Sequence, residues 1–410
     1  EHETDHCRAR KADCIVVVNP FGDGATSVIE AKEQALVQQF IAHATVDGED
    51  GPAPNRWSYS DGPTQTGAVD MIASTIGLDL AKHNFHVHAV DAGGSVVKTA
   101  ALRRSEMIKF FRNAKPCLVG MEACATAHHW ARELMKLGHE VRLIPPSYVK
   151  PYVRRGAKND AADAAAICEA VRRPYMRFVP IKSESNQAFL MLHRARGLLV
   201  RQRTMTVCAI RAHLAEFGII FGQGRQRIET VLPSIEDVAS SLPEEARFAL
   251  NSLIRMVGEL NTQLEGIETR LAEIGRSHPV SNLLSSIPGV GPITSTAIAA
   301  TVPDARMFRS GREFAAWLGL TPRQNSSGGT TRLGGITKQG DAYLRHLLVI
   351  GARNIVRYPK ARAKVDGAWI DALLQRRRPM IVAVANKLAR IIWAMMTSGE
   401  MFREAHVRTT

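Results

Sequence analysis

The sequence predicts a mixed α/β domain joined to a longer, all-helical region. Three patterns carry this prediction. Short runs of alternating apolar and polar residues, the signature of half-buried strands, fill 74–144 between turn signals. Through 185–277 apolar residues recur every three or four positions, the period of a helix face. From 281 to 400 the pattern is helical again, interrupted by a glycine-rich stretch from Gly319 to Gly340.

The elements follow in order. Strands are expected from Ser74 to Asp79, from Phe85 to Asp91 and from Ser95 to Ala100, linked by Leu80–Asn84 and by a Gly93-Gly94 turn. Ser105 to Asn113 reads as a helix with Ser105 as its cap. Cys117 to Glu122 is a fourth strand. Thr126 to Leu137 is a helix stopped by Gly138, and Glu140 to Ile144 is a fifth strand stopped by Pro145-Pro146. Asn159 to Arg172 is an Ala-rich helix that ends before Pro174. Three consecutive strands followed by α/β alternation is the ribonuclease H-like order. Further on, Val207, Ile210, Leu214 and Phe217 form one helical stripe. Leu253, Val257, Leu260, Leu264, Ile267, Leu271 and Ile274 keep a 4-3 alternation through three heptads. Arg194, Arg196, Arg201, Arg203 and Arg211 flank the first stripe. Two readings stay open there: an antiparallel hairpin with a solvated basic face, or a dimer coil that also lies on nucleic acid.

Composition bounds the function. At 410 residues the chain has room for two or three domains, and 45% hydrophobic with 22% charged residues excludes wholesale disorder. The acidic, polar start Glu1-His2-Glu3-Thr4-Asp5 is no secretory signal, and no uninterrupted apolar run is long enough to span a bilayer, so no membrane partner is expected. Lys and Arg outnumber Asp and Glu by 53 to 39, a formal charge of +14 that points to an anionic partner, nucleic acid first. The six cysteines form no CxxC pair, which fits a reducing cytoplasm. Residues 1–70 are turn-rich and read as an atypical, poorly ordered extension, with Met71 as the expected natural start. The expected domains are 71–180, a helical coiled-coil dimerisation region at 181–278, and a C-terminal domain at 279–410.

Four carboxylates stand out. Asp79 and Glu122 end the first and fourth strands, and Asp160 and Asp163 share one helical turn. In a ribonuclease H-like sheet those strands are neighbours and the later helix packs over their ends, so the four would gather at one site. Such charges repel unless cations neutralise them, and hard oxygen ligands select Mg²⁺ or Mn²⁺. Taken singly, Asp79 is a turn residue and Asp160 a helix cap; the conjunction favours a site. His86 and His88, like His128-His129, are read as solvated or hydrogen-bonded rather than metal ligands.

Three blocks resemble the DEDD transposases of the insertion sequence 110 family, above all its 1111 subgroup: Ile76-Gly77-Leu78-Asp79-Leu80-Ala81-Lys82, Val119-Gly120-Met121-Glu122-Ala123 and Lys158-Asn159-Asp160-Ala161-Ala162-Asp163-Ala164. The C-terminal part agrees. Ile287-Pro288-Gly289-Val290-Gly291-Pro292 is similar to that family's helix-hairpin-helix-like segment. Phe314 to Arg323, Ser326-Ser327-Gly328-Gly329 and Gly335 to Asp341 resemble its second-domain signature, with Thr330 where a Lys is expected. The resemblance implies a RuvC-like domain holding the acidic tetrad, and a C-terminal helical domain whose glycine-rich loop carries a serine that joins covalently to DNA. It implies a structured guide (bridge) RNA from the element, homodimers that assemble to a tetramer, and a bacterial, nucleoid-associated protein. Ser327, directly before glycine, is the favoured nucleophile, and Ser326 the alternative. Read from the residues alone, both lie in a polar turn. Arg323 and Arg332 are placed to stabilise developing charge, and Lys338 joins them as a nucleic-acid contact. The Gly289 and Gly291 link offers backbone N–H groups to phosphate, or is an ordinary turn between helices. The competing function is a metal-dependent nuclease of Holliday-junction-resolvase type, which needs the carboxylates and no serine.

Overall fold

A computed structural model describes residues 73–153, 159–220, 241–325, 329–330, 332–375 and 380–404, all within one compact unit, Val69–Thr410. The expectation for 1–70 lies outside the described residues.

Alternating patterns become a five-stranded mixed sheet. Strands β1 (Thr75–Leu80), β2 (Asn84–Val90), β3 (Val96–Arg103), β4 (Leu118–Glu122) and β5 (Glu140–Ile144) take the order β3-β2-β1-β4-β5. The first three form an antiparallel meander, and β4 and β5 add parallel to β1. Period-two alternation sends Ile76, Leu78, Val119 and Met121 to one face. There they meet Phe111 of the Met107–Arg112 helix and Trp130 and Leu134 of the Ala127–Lys136 helix. The other face carries Gly77, Asp79, Gly120 and Glu122, under the Asp160–Val171 helix.

Two expected details change. β3 runs three residues beyond Ala100, to Arg103. Ser105 caps no helix: Glu106 holds that position, and its carboxylate instead accepts from the Arg103 N–H at 2.8 Å. An acceptor that reaches back to the strand end satisfies a different donor from a helical cap.

The two stripes in the middle region pair within the chain. Helices Glu184–Glu216 and Glu244–Ser277 run antiparallel, since Arg196 Nε donates to Glu268 Oε1 (2.8 Å) while Arg203 Nη1, further along, donates to Asn261 Oδ1 (2.9 Å), earlier in the partner. Val207, Ile210 and Leu214 pack with Leu250 and Val257, whereas Phe217 is exposed. The hairpin reading therefore describes this pair, and two of the five flanking arginines are spent on it.

The C-terminal core gathers helices Pro279–Ser285, Pro292–Thr301, Gly311–Trp317, Ala342–Arg357, Pro359–Gln375 and Met380–Ser398 around Ile298, Phe314, Leu348, Ile355 and Leu388. A two-stranded hairpin, β6 (Pro322–Gln324) and β7 (Leu333–Ile336), projects from it. The 381–398 stretch is long and apolar enough to cross a membrane. However, Val384, Ala385, Leu388, Ala389 and Ile392 are fully buried in this core, and Lys387 and Arg390 interrupt it. A buried network fixes the long helix to this domain. Thr296 Oγ1 donates to the Pro292 carbonyl (2.6 Å), so it accepts from His193 Nε2 (3.1 Å), and His193 Nδ1 accepts from the Tyr343 hydroxyl (3.1 Å). Burial holds His193 neutral, with its pKa lowered to about 4.

Candidate active site

The carboxylate end of the sheet is built by two glycines. Gly77 and Gly120 are direct partners on adjacent parallel strands. A Cβ on Gly77 would meet Cys168 Cβ at 2.7 Å and collide with the Ala164 carbonyl, and a Cβ on Gly120 would meet Val171 Cβ at 2.7 Å. Only bare backbone lets the Asp160–Val171 helix lie this close to the sheet. Each strand places its acid two residues further on, and period two keeps Asp79 and Glu122 on the helix-covered face. The ladder from Thr75↔Leu118 to Leu78↔Met121 makes Asp79 and Glu122 the next register position. Asn159 caps the helix, its Oδ1 accepting from Ala162 N at 2.7 Å, so Asp160 is not the cap and both aspartates sit in the first turn.

The electrostatics agree with this placement. Burial raises the pKa of Asp79, and the Asp163 and Asp160 charges raise it further against the opposing pull of His86 and the Leu80 N–H. Glu122 is raised by burial, then by Asp79 and Asp163. Asp79 thus feels both helix aspartates and Glu122 feels one. The four share one electrostatic field, yet among the described residues no three His, Cys, Asp or Glu side chains close to metal-ligand spacing. The donor set fits a hard divalent cation: every donor is a carboxylate oxygen, and the mutual repulsion that adds to burial in lifting Asp79 and Glu122 is what a cation would relieve.

The sequence reads His86 as solvated or hydrogen-bonded, and its Nδ1 is neither. His86 is the cross-strand partner of Asp79, and its Nδ1 lies 3.7 Å from Asp160 Oδ2 with no hydrogen bond. His88 stays off the site, its pKa lowered by burial; His128 contacts Lys182 instead. The glycine pair was also missed, although the sequence holds its signal: Gly-Leu-Asp and Gly-Met-Glu repeat a glycine two residues before each strand-end acid.

The second predicted site is divided. Ser326 and Ser327 lie outside the described residues. Arg323 and Lys338 are brought together along one groove beside the hairpin, both exposed, and Lys338 adopts a left-handed φ of 56°. Arg332 lies at the hairpin's other strand end, its carbonyl accepting from Asn325 N at 2.9 Å. Gly289 and Gly291 belong to a separate link. Gly289 has a φ of 82°, and a Cβ there would meet the Gly351 carbonyl at 2.8 Å, so close helix packing already demands glycine. Gly291 precedes the Pro292–Thr301 helix in open space.

Known proteins share much of this sequence. A transposase family model of the DEDD, insertion sequence 110 type matches residues 76–219, and one for the IS116/IS110/IS902 transposase family matches 281–366. A probable family 20 transposase of Pseudomonas aeruginosa is 48% identical over 81% of this chain and 99% of its own. The transposase for insertion sequence element IS1328 of Yersinia enterocolitica is 39% identical over 80% of this chain and 98% of its own. The transposase for element IS1111A of Coxiella burnetii is 37% identical over 80% and 91%. Identity at this level across nearly whole relatives puts both the carboxylate end and the glycine-rich hairpin inside the shared sequence, and the chain belongs to the IS116/IS110/IS902 family of DNA transposases.

Proposed function

We propose that this transposase moves its element by site-specific recombination, with Mg²⁺ (or Mn²⁺) held by Asp79, Glu122, Asp160 and Asp163 in a RuvC-like domain and with Ser327 as the nucleophile. One observation carries the reading: adjacent strands present Asp79 and Glu122 under the helix turn that bears Asp160 and Asp163, and burial, then the neighbouring carboxylates, make Asp79 and Glu122 resist ionisation. A bound divalent cation would neutralise these carboxylates and polarise a phosphodiester for in-line displacement. The Ser327 oxygen bonds to phosphorus, and the deoxyribose oxygen leaves with the proton that the hydroxyl gives up. The strand is then held as a phosphoserine ester. Arg323 and Arg332 oppose the charge that develops on the phosphate oxygens, and Lys338, Gly289 and Gly291 grip backbone rather than bases. A guide RNA, dimers assembling to a tetramer, the domain limits at 180 and 278, and a place on the nucleoid complete the reading by family likeness.

The test is a suicide DNA substrate incubated with Mg²⁺ or with a chelator. A covalent protein–DNA adduct that requires Mg²⁺, disappears in Ser327→Ala and survives in Ser326→Ala is the expected result. Free ends without an adduct would favour a resolvase-type nuclease.

A further inference from the structure

Between the β6–β7 hairpin and the Met380–Ser398 helix lies a groove of about 1440 Å³. That exceeds the ~300 to 1,000 Å³ of small-molecule pockets and suits a segment of a polymer. Among the described residues five cations line it, Arg312, Arg323, Lys338, Lys387 and Arg390, and no carboxylate does. Arg312, Arg323, Lys338 and Arg390 are exposed and make no ion pair among the described residues, so their charge is available to a ligand. Two indoles, Trp369 and Trp393, stand among the aliphatic residues of the wall. Trp393 is anchored by its Nε1, which donates to the carbonyls of Ala305 (3.1 Å) and Phe308 (3.2 Å). Trp369 is roofed by the Lys387 ammonium, 4.5 Å from the ring centroid.

Lys387 differs from the other four. It is hydrogen-bonded to Asp366, the one non-helical residue at which two helical pieces join within Pro359–Gln375. Asp366 also accepts from Trp369 N through its other oxygen (3.2 Å). One carboxylate thus holds both the Trp369 main chain and the ammonium that covers its indole.

We propose that this groove binds single-stranded DNA, and that Asp366 restrains it by occupying Lys387 until a phosphate displaces the carboxylate. Unpaired bases expose the ring faces that indoles stack on, whereas a duplex hides them; cations alternating with aromatics are the chemistry of single-strand channels. The assignment to DNA rests on the proposed function, since the hairpin that would carry the attacking serine forms one wall of the groove.

Fluorescence anisotropy with a labelled thymidine 20-mer and the full chain tests this. Lys338→Glu/Arg390→Glu, with an unchanged thermal midpoint, should weaken binding about tenfold or more. The same variant should lower the slope of log K against log salt by at least ~1.4, from two lost contacts at ~0.7 each. Asp366→Asn keeps the acceptor for Trp369 N and removes the charge that holds Lys387, so binding should tighten about threefold. Unchanged affinity in both variants, or an equal loss for a blunt duplex, overturns the groove. A uridine 20-mer held about tenfold tighter than thymidine by these residues overturns the assignment to DNA. The suicide substrate keeps the two readings apart: an adduct with unaltered groove affinities sinks the groove alone, and altered affinities without an adduct sink the serine alone.

Discussion

Glycine does opposite work at the two ends of this transposase. At the carboxylate end, Gly77 and Gly120 are there because nothing else fits beneath Ala164, Cys168 and Val171. At the hairpin, Gly335 meets nothing within 4 Å, and Gly334 meets only atoms at ordinary contact distance. The first pair sets a distance and so fixes the acids beneath the helix. The second leaves backbone bare along a groove and sets no distance. Pre-organisation and access are therefore built from one residue type, and only the surroundings distinguish them.

The comparison breaks most readily at Gly77. Gly77→Val puts branched carbons where the Ala164 carbonyl stands, so the Asp160–Val171 helix must lift. Overpacking costs about 1–3 kcal/mol, and lifting a helix from two strands belongs at or above the top of that range. Thermal unfolding should drop by several degrees, and Mg²⁺-dependent strand cleavage should vanish. A variant with wild-type stability would show that the helix approach is not set by the glycine.

Gly289→Ala comes next. It combines a left-handed φ, worth about 1–2 kcal/mol, with a clash against the Gly351 carbonyl. A loss of about 2 kcal/mol in chemical denaturation, with carboxylate-dependent cleavage retained, is the expected outcome. A variant of normal stability would show that the approach to the Gly351 carbonyl does not demand glycine at 289.

These glycines also mark what the sequence could and could not reveal. Period-two alternation located all five strands, and Glu140–Ile144 to the residue, because one face of each strand must be apolar. The Asp160–Val171 helix was legible from its Ala content, with Asn159 recast as its cap. The proximity of His86 to Asp160 was not legible, since it depends on how a helix crosses a strand 74 positions earlier in the chain. The partner of the Leu253–Ile274 stripe stayed open for a related reason: heptads state that a helix has a neighbour, and nothing in them says whose it is. Ser105 misled because a good capping residue was outcompeted by Glu106, which serves the Arg103 N–H.

A smaller effect is expected from charge. The folded-state pKa values of Asp79 and Glu122 lie above the ordinary carboxylate range near pH 4. Folding therefore strengthens their hold on protons. Their stabilising contribution is complete below about pH 4 and is lost as pH rises through the raised values. His193 has the opposite sign: its pKa, lowered to about 4, makes it contribute stability above its ordinary value near 6.5, a contribution lost as pH falls through about 4. Without divalent cations, Asp79→Asn should flatten the first slope, raise stability at pH 7 and abolish cleavage while leaving DNA binding intact. Mg²⁺ should stabilise the wild type more than this variant in thermal denaturation. Equal stabilisation would take Asp79 away from the cation.

The smallest effect separates the two kinds of glycine most sharply. Gly335 lines the groove, its φ lies outside the left-handed region, and the space where a Cβ would sit is empty. Alanine there needs no backbone change and displaces no neighbour. Its conformational entropy in the unfolded chain is lower than that of glycine, which offsets any small loss in the folded state. Gly335→Ala should leave unfolding within about 0.5 kcal/mol of wild type and single-strand affinity within about twofold, because a methyl removes no cation from the groove. A loss beyond about 1 kcal/mol would mean that Gly335 sets a distance after all, as Gly77 does. Intact stability with a tenfold loss of affinity would mean that a nucleic-acid strand lies against this backbone, where only glycine leaves it room.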